Sequence, residues 1–148
     1  MRDMDIWLQE LNQDNWLAAA SLSVMEEQRA VFPIPNPYWI GISRYEEHTT
    51  LYGIMHGETV VGLLGLGYDE DGVSGCINPL MIDARYQGQH YAEQAMALAL
   101  DILKTAYRVP CVRLGHRKAN TAAARLYDKL GFEIIGEDGQ DYFRARAL

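Results

Sequence analysis

The sequence lacks the features that mark a membrane-spanning, exported or disulfide-linked protein. No apolar run approaches the roughly 20 residues that a bilayer crossing requires. The first residues, Met-Arg-Asp-Met-Asp-Ile-Trp, contain no apolar signal core and no small-residue cleavage site. The two cysteines, Cys76 and Cys111, lie in apolar strand-like runs, where free cysteine usually packs as a small hydrophobe. We therefore expect reduced thiols and a cytoplasmic protein.

Metal-site and nucleotide-loop patterns are missing as well. The histidines, His48, His56, His90 and His116, show no metal-ligand spacing, so we predict no metal site. Residues 65–67 read Gly-Leu-Gly but lack the third glycine of a dinucleotide fingerprint, and the sequence has no Gly-Lys-Ser/Thr loop. These absences exclude the dinucleotide and P-loop modes of nucleotide binding.

Basic residues are scarce relative to acidic ones. The chain has 13 Lys and Arg against 20 Asp and Glu, a formal net charge of −7, which argues against nucleic acid as the main partner. The same charge permits a cationic substrate, although acidity of this size also serves solubility alone. With 148 residues, 49% of them hydrophobic, we expect a single domain, residues 1–148, with a core of ordinary size.

The hydrophobic periodicity changes along the chain between helical and strand-like spacing. It predicts a mixed α/β (α+β) fold, a mostly antiparallel twisted sheet of about 6–7 strands with helices on both faces. Strands 76–82 and 111–115 flank a long helix, so we expect them to be parallel. The predicted elements, in order, are strand 4–11, helix 14–23, a proline-rich connector 31–37, a short helix begun by Pro37, hairpin strands 51–55 and 60–68, strand 76–82, helix 88–106, strand 111–115, a helix from Asn120 to a C′ glycine at Gly131, and a hairpin of strands 132–137 and 142–145 turned at Asp138-Gly139.

A proline interrupts one of these strands. Pro79 lies in the middle of strand 76–82, and proline cannot donate a hydrogen bond to a neighbouring strand. We therefore predict that this strand is bulged or has an unpaired edge near Pro79.

The turn that follows this strand has the composition of an anion site. Residues Arg85 to Ala92 read Arg-Tyr-Gln-Gly-Gln-His-Tyr-Ala and lead directly into the helix-forming run 93–106. A glycine-containing turn at a helix start brings free backbone N–H groups to the positive end of the helix dipole. We predict that this turn binds a phosphate group.

Two motifs flank strand 111–115 and together resemble the Gcn5-related N-acetyltransferase (GNAT) family. Gln87 to Ala92 resembles that family's Gln/Arg-x-x-Gly-x-Gly/Ala pyrophosphate loop, although His90 stands where the middle glycine belongs. Residues 120–132 match the family's Asn-x-x-Ala-x-x-Leu-Tyr-x-x-x-Gly-Phe signature at every defined position. The family resemblance covers residues 49–148 well.

The resemblance implies acetyl-CoA as the cofactor and a splayed parallel strand pair around its pantetheine arm. It implies that Tyr127 is the general acid, since a phenol of pKa about 10 suits a thiol of pKa about 8.5, and that a backbone N–H, that of Met81, stabilises the oxyanion. The residues expected to bind the cofactor are Leu80, Met81, Ile82, Gln87, Gly88, Gln89, His90, Tyr91, Ala92, Asn120 and Tyr127.

The implied acceptor is a primary amine of a small molecule. The run 68–71, the run 80–88 and the chain length more loosely resemble the small bacterial spermine/spermidine acetyltransferases, which makes a polyamine one candidate. The general base stays open between a water chain and a nearby carboxylate. The carboxylates considered for the base or for substrate contacts are Glu26, Glu27, Asp69 and Glu70.

Structural alternatives accompany these roles. Tyr127 could be a core aromatic, Asn120 a plain helix N-cap, and residues 69–71 a solvated turn. His90 could weaken cofactor binding or add an imidazole contact. A non-catalytic acetyl-CoA-binding regulatory module is the alternative function, and monomer and homodimer are both open.

Overall fold

The computed structural model describes residues 5–46 and 48–148. Their strands form one seven-stranded sheet of order β1-β2-β3-β4-β5-β7-β6, in which β4 and β5 are parallel and the other neighbours are antiparallel. The elements are β1 (Ile6–Glu10), α1 (Trp16–Ala20), a 3-10 turn (Glu26–Gln28), α2 (Asn36–Tyr45), β2 (Thr49–His56), β3 (Thr59–Tyr68), β4 (Gly75–Ile82), a 3-10 turn (Ala84–Tyr86), α3 (Tyr91–Ile102), a π-helical turn (Leu103–Tyr107), β5 (Cys111–Arg117), α4 (Thr121–Lys129), β6 (Glu133–Asp138) and β7 (Asp141–Ala147).

Helices cover both faces of this sheet, as the sequence predicts. The larger apolar cluster joins the sheet to α3 and α4, with Met96, Leu103 and Phe132 buried in it. The second cluster lies on the opposite face and includes Ala19 of α1 and Leu63 of β3. β3 is buried from residue 60 to residue 67, which is the pattern of a central strand covered on both sides.

β4 carries the bulge that Pro79 predicts. Leu80 pairs with Leu64 and Ile77 with Leu66, so Asn78 and Pro79 together lie opposite Gly65. A Cβ atom at position 65 would overlap the carbonyl oxygen of Asn78. The bulge therefore requires a residue without a side chain on the neighbouring strand.

The long helix begins later than predicted. α3 starts at Tyr91 rather than at residue 88, because Gly88 (φ 81°) and His90 (φ 63°) have left-handed backbone conformations that no α-helix contains. Its buried residues are Tyr91, Ala95, Met96, Ala99 and Leu100. Among the described residues, no helix has the length and apolarity needed to cross a bilayer.

Smaller differences occur near both ends of the chain. α1 is limited to Trp16–Ala20, shorter than the predicted 14–23. The closing hairpin pairs Asp138 with Asp141, so the turn is Gly139–Gln140, one residue later than predicted. Met4, predicted as the first residue of β1, lies outside the described residues.

Candidate active site

The segment from Asp83 to Ala92, which we call the anion loop, has the geometry expected of an anion-binding site. It is anchored by Asp83, whose carboxylate accepts hydrogen bonds from the backbone N–H groups of Ser23 (3.0 Å) and Arg85 (3.1 Å). Within residues 5–46 and 48–148, the backbone N–H groups from Gln89 to Ala92 donate no hydrogen bond. These donors lie at the positive end of α3, a helix of 12 residues, where they favour a negatively charged ligand.

His90 occupies a position that suits glycine. Its backbone has φ 63° and ψ 22°, a left-handed conformation that costs most L-residues free energy. Its side chain is 80% exposed and places Nδ1 3.7 Å from a carboxylate oxygen of Glu93. The side chain therefore does not prevent residue 90 from adopting the backbone conformation that a glycine would have there.

The parallel strands β4 and β5 separate after a short contact. Only Gly75 with Val112 and Cys76 with Arg113 are paired among the described residues. Beyond Cys76 the β5-facing edge of β4 has no strand partner, and a cleft opens between residues 77–82 and β5. Backbone groups on that edge can hydrogen-bond a ligand lying in the cleft.

A cavity of about 650 Å³ joins this cleft to the anion loop. Its wall includes most of the residues predicted to bind a cofactor, whereas Gln89 does not line it and instead accepts a hydrogen bond from the Tyr91 hydroxyl (3.1 Å). The predicted residues in the wall are Leu80, Met81, Ile82, Gln87, Gly88, His90, Tyr91, Ala92, Asn120 and Tyr127.

Tyr127 extends from α4 to the cavity. Its ring packs against Phe132 (centroids 5.8 Å apart) and His116 (5.5 Å), and 7% of the residue is exposed. Burial raises the pKa of Tyr127 to about 12, and the positive charge of Arg144 opposes that rise. Its hydroxyl hydrogen-bonds no described group and is not among the fully enclosed unpartnered atoms. The hydroxyl therefore stays protonated at neutral pH and retains access to the cavity.

Asn120 caps α4. Its side-chain oxygen accepts a hydrogen bond from the backbone N–H of Ala123 (3.1 Å), as expected for an N-cap. The residue also lines the cavity. Because the cap uses only the oxygen, the side-chain NH₂ group is available to a ligand, and the two predicted roles are compatible.

A buried polar pair behind Tyr127 was not predicted from the sequence. Arg144, 2% exposed, donates from Nε to His116 Nε2 (2.9 Å) and from a terminal nitrogen to Asp128 (2.6 Å) and to the carbonyl of Phe132 (2.9 Å). His116 Nδ1 in turn lies 2.9 Å from the Arg117 carbonyl oxygen. With both ring nitrogens engaged, His116 supports Tyr127 but has no free nitrogen to act as a base.

The four candidate carboxylates do not line the cavity. Glu26 and Glu27 belong to the 3-10 turn after α1. Asp69 accepts a hydrogen bond from Arg113 Nε (2.8 Å), and Glu70 follows it in an exposed turn. No cluster of His, Cys, Asp and Glu in the described part of the chain could hold a metal ion.

The segment between α1 and α2, residues 21–35, forms the remaining wall of the cavity, and we refer to all of it as the connector. Gln28 and Gln87 exchange hydrogen bonds through their side-chain amides (2.9 and 2.8 Å), which ties this connector to the anion loop. Proline content predicts that the segment is extended, but its contact with the loop depends on tertiary packing. The other cavity residues of this segment are Val24, Val31, Phe32, Pro33, Ile34 and, at the start of α2, Trp39.

Comparison with curated proteins identifies one polyamine enzyme. The spermine/spermidine N(1)-acetyltransferase of Bacillus subtilis (strain 168) is 30% identical in an alignment 91 residues long, which covers 57% of this chain and 60% of that protein. The match thus spans less than two thirds of the relative's length.

Solved structures share the fold over nearly the whole chain. The spermidine N-acetyltransferase from Vibrio cholerae, in complex with CoA and spermine, has a TM-score of 0.79 at 15% identity and covers 98% of this chain and 96% of its own. The PaiA N-acetyltransferase from Thermoplasma acidophilum, in complex with coenzyme A, has a TM-score of 0.76 at 16% identity, covering 97% and 99%. At these identities the likeness establishes the fold.

A protein-family model, that of the acetyltransferase (GNAT) family, matches residues 8–132. These residues include the anion loop, the separated strands β4 and β5, and Tyr127. The match covers most of the chain, and the protein belongs to the GNAT acetyltransferase family.

Proposed function

We propose that the protein transfers the acetyl group of acetyl-CoA to a primary amine of a small molecule, with Tyr127 as general acid. One observation carries this proposal. A single cavity connects the free N–H groups of the anion loop, the open edge of β4 and the protonated hydroxyl of Tyr127. Family membership supports the same reaction class.

The residues of the cavity fit the cofactor. The backbone N–H groups of His90, Tyr91 and Ala92 suit a diphosphate, and Asn120 and Arg125, which also line the cavity, suit polar groups of the same arm. The cleft beside β4 suits an extended pantetheine. When bound, acetyl-CoA supplies a thioester whose carbonyl carbon accepts the amine and whose sulfur departs as the thiol.

The register of β3 and β4 favours Leu80 over Met81 as the donor to the oxyanion. The N–H of Asp83 donates to Val61 (2.9 Å), and Met81 pairs with Leu63 two residues earlier. Because hydrogen-bonded pairs alternate along an antiparallel ladder, the N–H of Met81 also faces β3. Leu80, the adjacent residue, directs its N–H into the cleft, so we assign the oxyanion contact to Leu80 in place of Met81.

Tyr127 provides the proton in this scheme. As the amine nitrogen bonds to the carbonyl carbon and the carbon–sulfur bond breaks, the departing sulfur would take a proton from the Tyr127 hydroxyl. The proton that the nitrogen loses in becoming an amide would pass through solvent and restore the phenol. The raised pKa of Tyr127 keeps this proton in place at neutral pH. His116 and Arg144 hold the ring and make no contact with the reacting atoms in this scheme.

A polyamine is a second, narrower candidate acceptor. Its support is the name of the Bacillus subtilis relative and the spermine bound to the Vibrio cholerae structure. The net charge of −7 is compatible with a polycation. Thiol release from acetyl-CoA with spermine, spermidine, simple diamines and aminoglycosides tests it, and no turnover with any polyamine removes it.

Replacing Tyr127 with Phe tests the catalytic role. We expect Tyr127→Phe to lower kcat by about 10²–10⁴-fold, the usual contribution of a general acid, while the Kd for acetyl-CoA is largely kept. Tyr45→Phe, at an 89% exposed tyrosine on α2, is the matched control and should leave both constants unchanged. Thiol release measures kcat, and calorimetric titration measures Kd.

The same variants separate the enzyme from a non-catalytic acetyl-CoA-binding module. A regulatory module would bind acetyl-CoA, turn over no amine, and be indifferent to Tyr127→Phe. If the unmodified protein acetylates an amine and Tyr127→Phe does so at the same rate, the proposed reaction stands and Tyr127 is not its general acid.

A further inference from the structure

We infer that the acceptor is a primary monoamine with an apolar or aromatic carbon skeleton, bound against the connector residues Val31, Phe32 and Ile34. The inference rests on the proposed acetyl transfer and narrows its substrate class. The inference excludes a polyamine acceptor, because the acceptor that it describes carries one ammonium group and no second charge along the skeleton.

The connector wall contains no charged side chain. Between Val24 and Trp39 the residues that line the cavity are apolar or aromatic, apart from Gln28 and its amide. Glu26, Glu27 and Arg29 belong to the same segment but do not line the cavity. The segment therefore directs apolar groups to the cavity.

This wall is also poor in hydrogen-bond acceptors. The indole N–H of Trp39 is enclosed and has no hydrogen-bond partner among the described residues. The amide of Gln28 is engaged by Gln87. The connector side chains that line the cavity therefore offer no free acceptor to the several N–H groups of a polyammonium chain.

The charged residues elsewhere in the cavity wall do not change this balance. Glu93 lines the cavity on the anion-loop side, where Lys129 (2.9 Å) pairs with it. Arg125 adds a positive charge to the same wall. A second ammonium group in the cavity would lose its hydration without gaining a free carboxylate.

An apolar wall also accounts for how the amine loses its proton. No carboxylate from the connector lines the cavity, and both nitrogens of His116 are engaged. Removal from water disfavours the charged form of an amine and lowers its pKa. The connector thus favours the neutral amine that attacks the thioester, and the proton leaves to solvent before the skeleton is enclosed.

The test compares two amines of equal length. Hexylamine and hexamethylenediamine differ only by a terminal ammonium group, so their ratio of kcat/KM reports the wall's response to a second charge. We expect hexylamine, and phenethylamine with it, to be acetylated with at least about tenfold higher kcat/KM. Equal or faster acetylation of the diamine, or of spermine, overturns the inference.

A charge placed on the wall should reverse this preference. Ile34→Glu puts a carboxylate at a 38% exposed position of the cavity wall, and we expect it to favour the diamine. Ile42→Glu, at a 39% exposed residue of α2 that does not line this cavity, is the matched control and should keep the original preference. An unchanged ratio in Ile34→Glu counts against the connector as the acceptor wall.

Binding to the inactive variant separates this inference from the proposed reaction. Calorimetry of both amines with the CoA complex of Tyr127→Phe should show tighter binding of hexylamine. If hexylamine binds more tightly than the diamine but the unmodified protein acetylates neither, the proposed acetyl transfer is rejected and the inferred class of acceptor stands. No binding of hexylamine, or tighter binding of the diamine, rejects the acceptor chemistry whether or not transfer occurs.

Discussion

His90 combines a glycine-like backbone with an exposed side chain. At φ 63° its conformation is strained for an L-residue, yet no described group accepts a hydrogen bond from the backbone N–H groups of Gln89 to Ala92. Since the imidazole is 80% exposed, we expect it neither to block nor to complete a phosphate site in the anion loop. Cofactor affinity should therefore depend on the backbone of residue 90 and little on its side chain.

Substitution at His90 tests this separation. We expect His90→Gly to change the Kd for acetyl-CoA by less than about fivefold, which is about 1 kcal/mol, and to leave the free energy of unfolding unchanged or higher. His90→Val, with a β-branched residue in the left-handed region, should lower that free energy by about 1–2 kcal/mol. Calorimetry and denaturant unfolding provide the measurements, and a tenfold weaker Kd in His90→Gly would show that the imidazole contacts the cofactor.

The residues of the site differ in whether their role can be predicted from the sequence. Tyr127 and Asn120 belong to a local motif, so sequence alone predicts a cofactor role for each, and the structure places both in the cavity wall. Arg144 and His116 belong to no motif, and they meet because β5 and β7 are neighbours whose register pairs Leu114 with Arg144. Sequence spacing carries no signal for a pair that only the sheet register brings together.

The β4 bulge depends on a glycine of β3. Gly65→Ala would place a Cβ against the carbonyl of Asn78. We expect it to lower the free energy of unfolding by about 1–3 kcal/mol, the usual cost of overpacking, and to weaken acetyl-CoA binding because the bulge shapes the cleft. Gly136→Ala is the control, since a Cβ in β6 has open space. Equal stability of the two variants, measured by thermal unfolding, would contradict this.

The elements also show where sequence patterns lose precision. Proline is a hard constraint on pairing, so the bulge at Pro79 was predicted correctly. The start of α3 was not, because residues 88–92 are compatible with helix and only tertiary structure fixes Gly88 and His90 at positive φ. The sheet order of β7 and β6 also depends on contacts remote in sequence.

For the whole molecule, the sheet consists of two parts held by a short parallel contact. β1 to β4 form one part and β5, β7 and β6 the other, with pairing between them limited to the start of β4. A ligand in the cleft contacts both parts. Cofactor binding should therefore stabilise the fold across this junction, beyond its effect on the anion loop.

Hydrogen exchange can test this bridging. We expect saturating CoA to raise the unfolding temperature, with stabilisation of about 2.7 kcal/mol at a concentration 100 times Kd, and to slow amide exchange in residues 77–82 and 114–117. The adenosine bisphosphate fragment of CoA, which lacks the pantetheine arm, should protect the anion loop alone. If the fragment slowed exchange in residues 77–82 and 114–117 as much as CoA does, stabilisation across the two parts of the sheet would not depend on a ligand in the cleft.

The amide pair of Gln28 and Gln87 has a consequence for how acceptor range can evolve. Val31 and Ile34 belong to neither core cluster, so their side chains can change to admit a different amine at little cost to the fold. Gln28 differs, because its amide pairs with Gln87 of the loop where we propose that phosphate binds. A lineage that altered this residue to admit a new amine would change its affinity for acetyl-CoA in the same step.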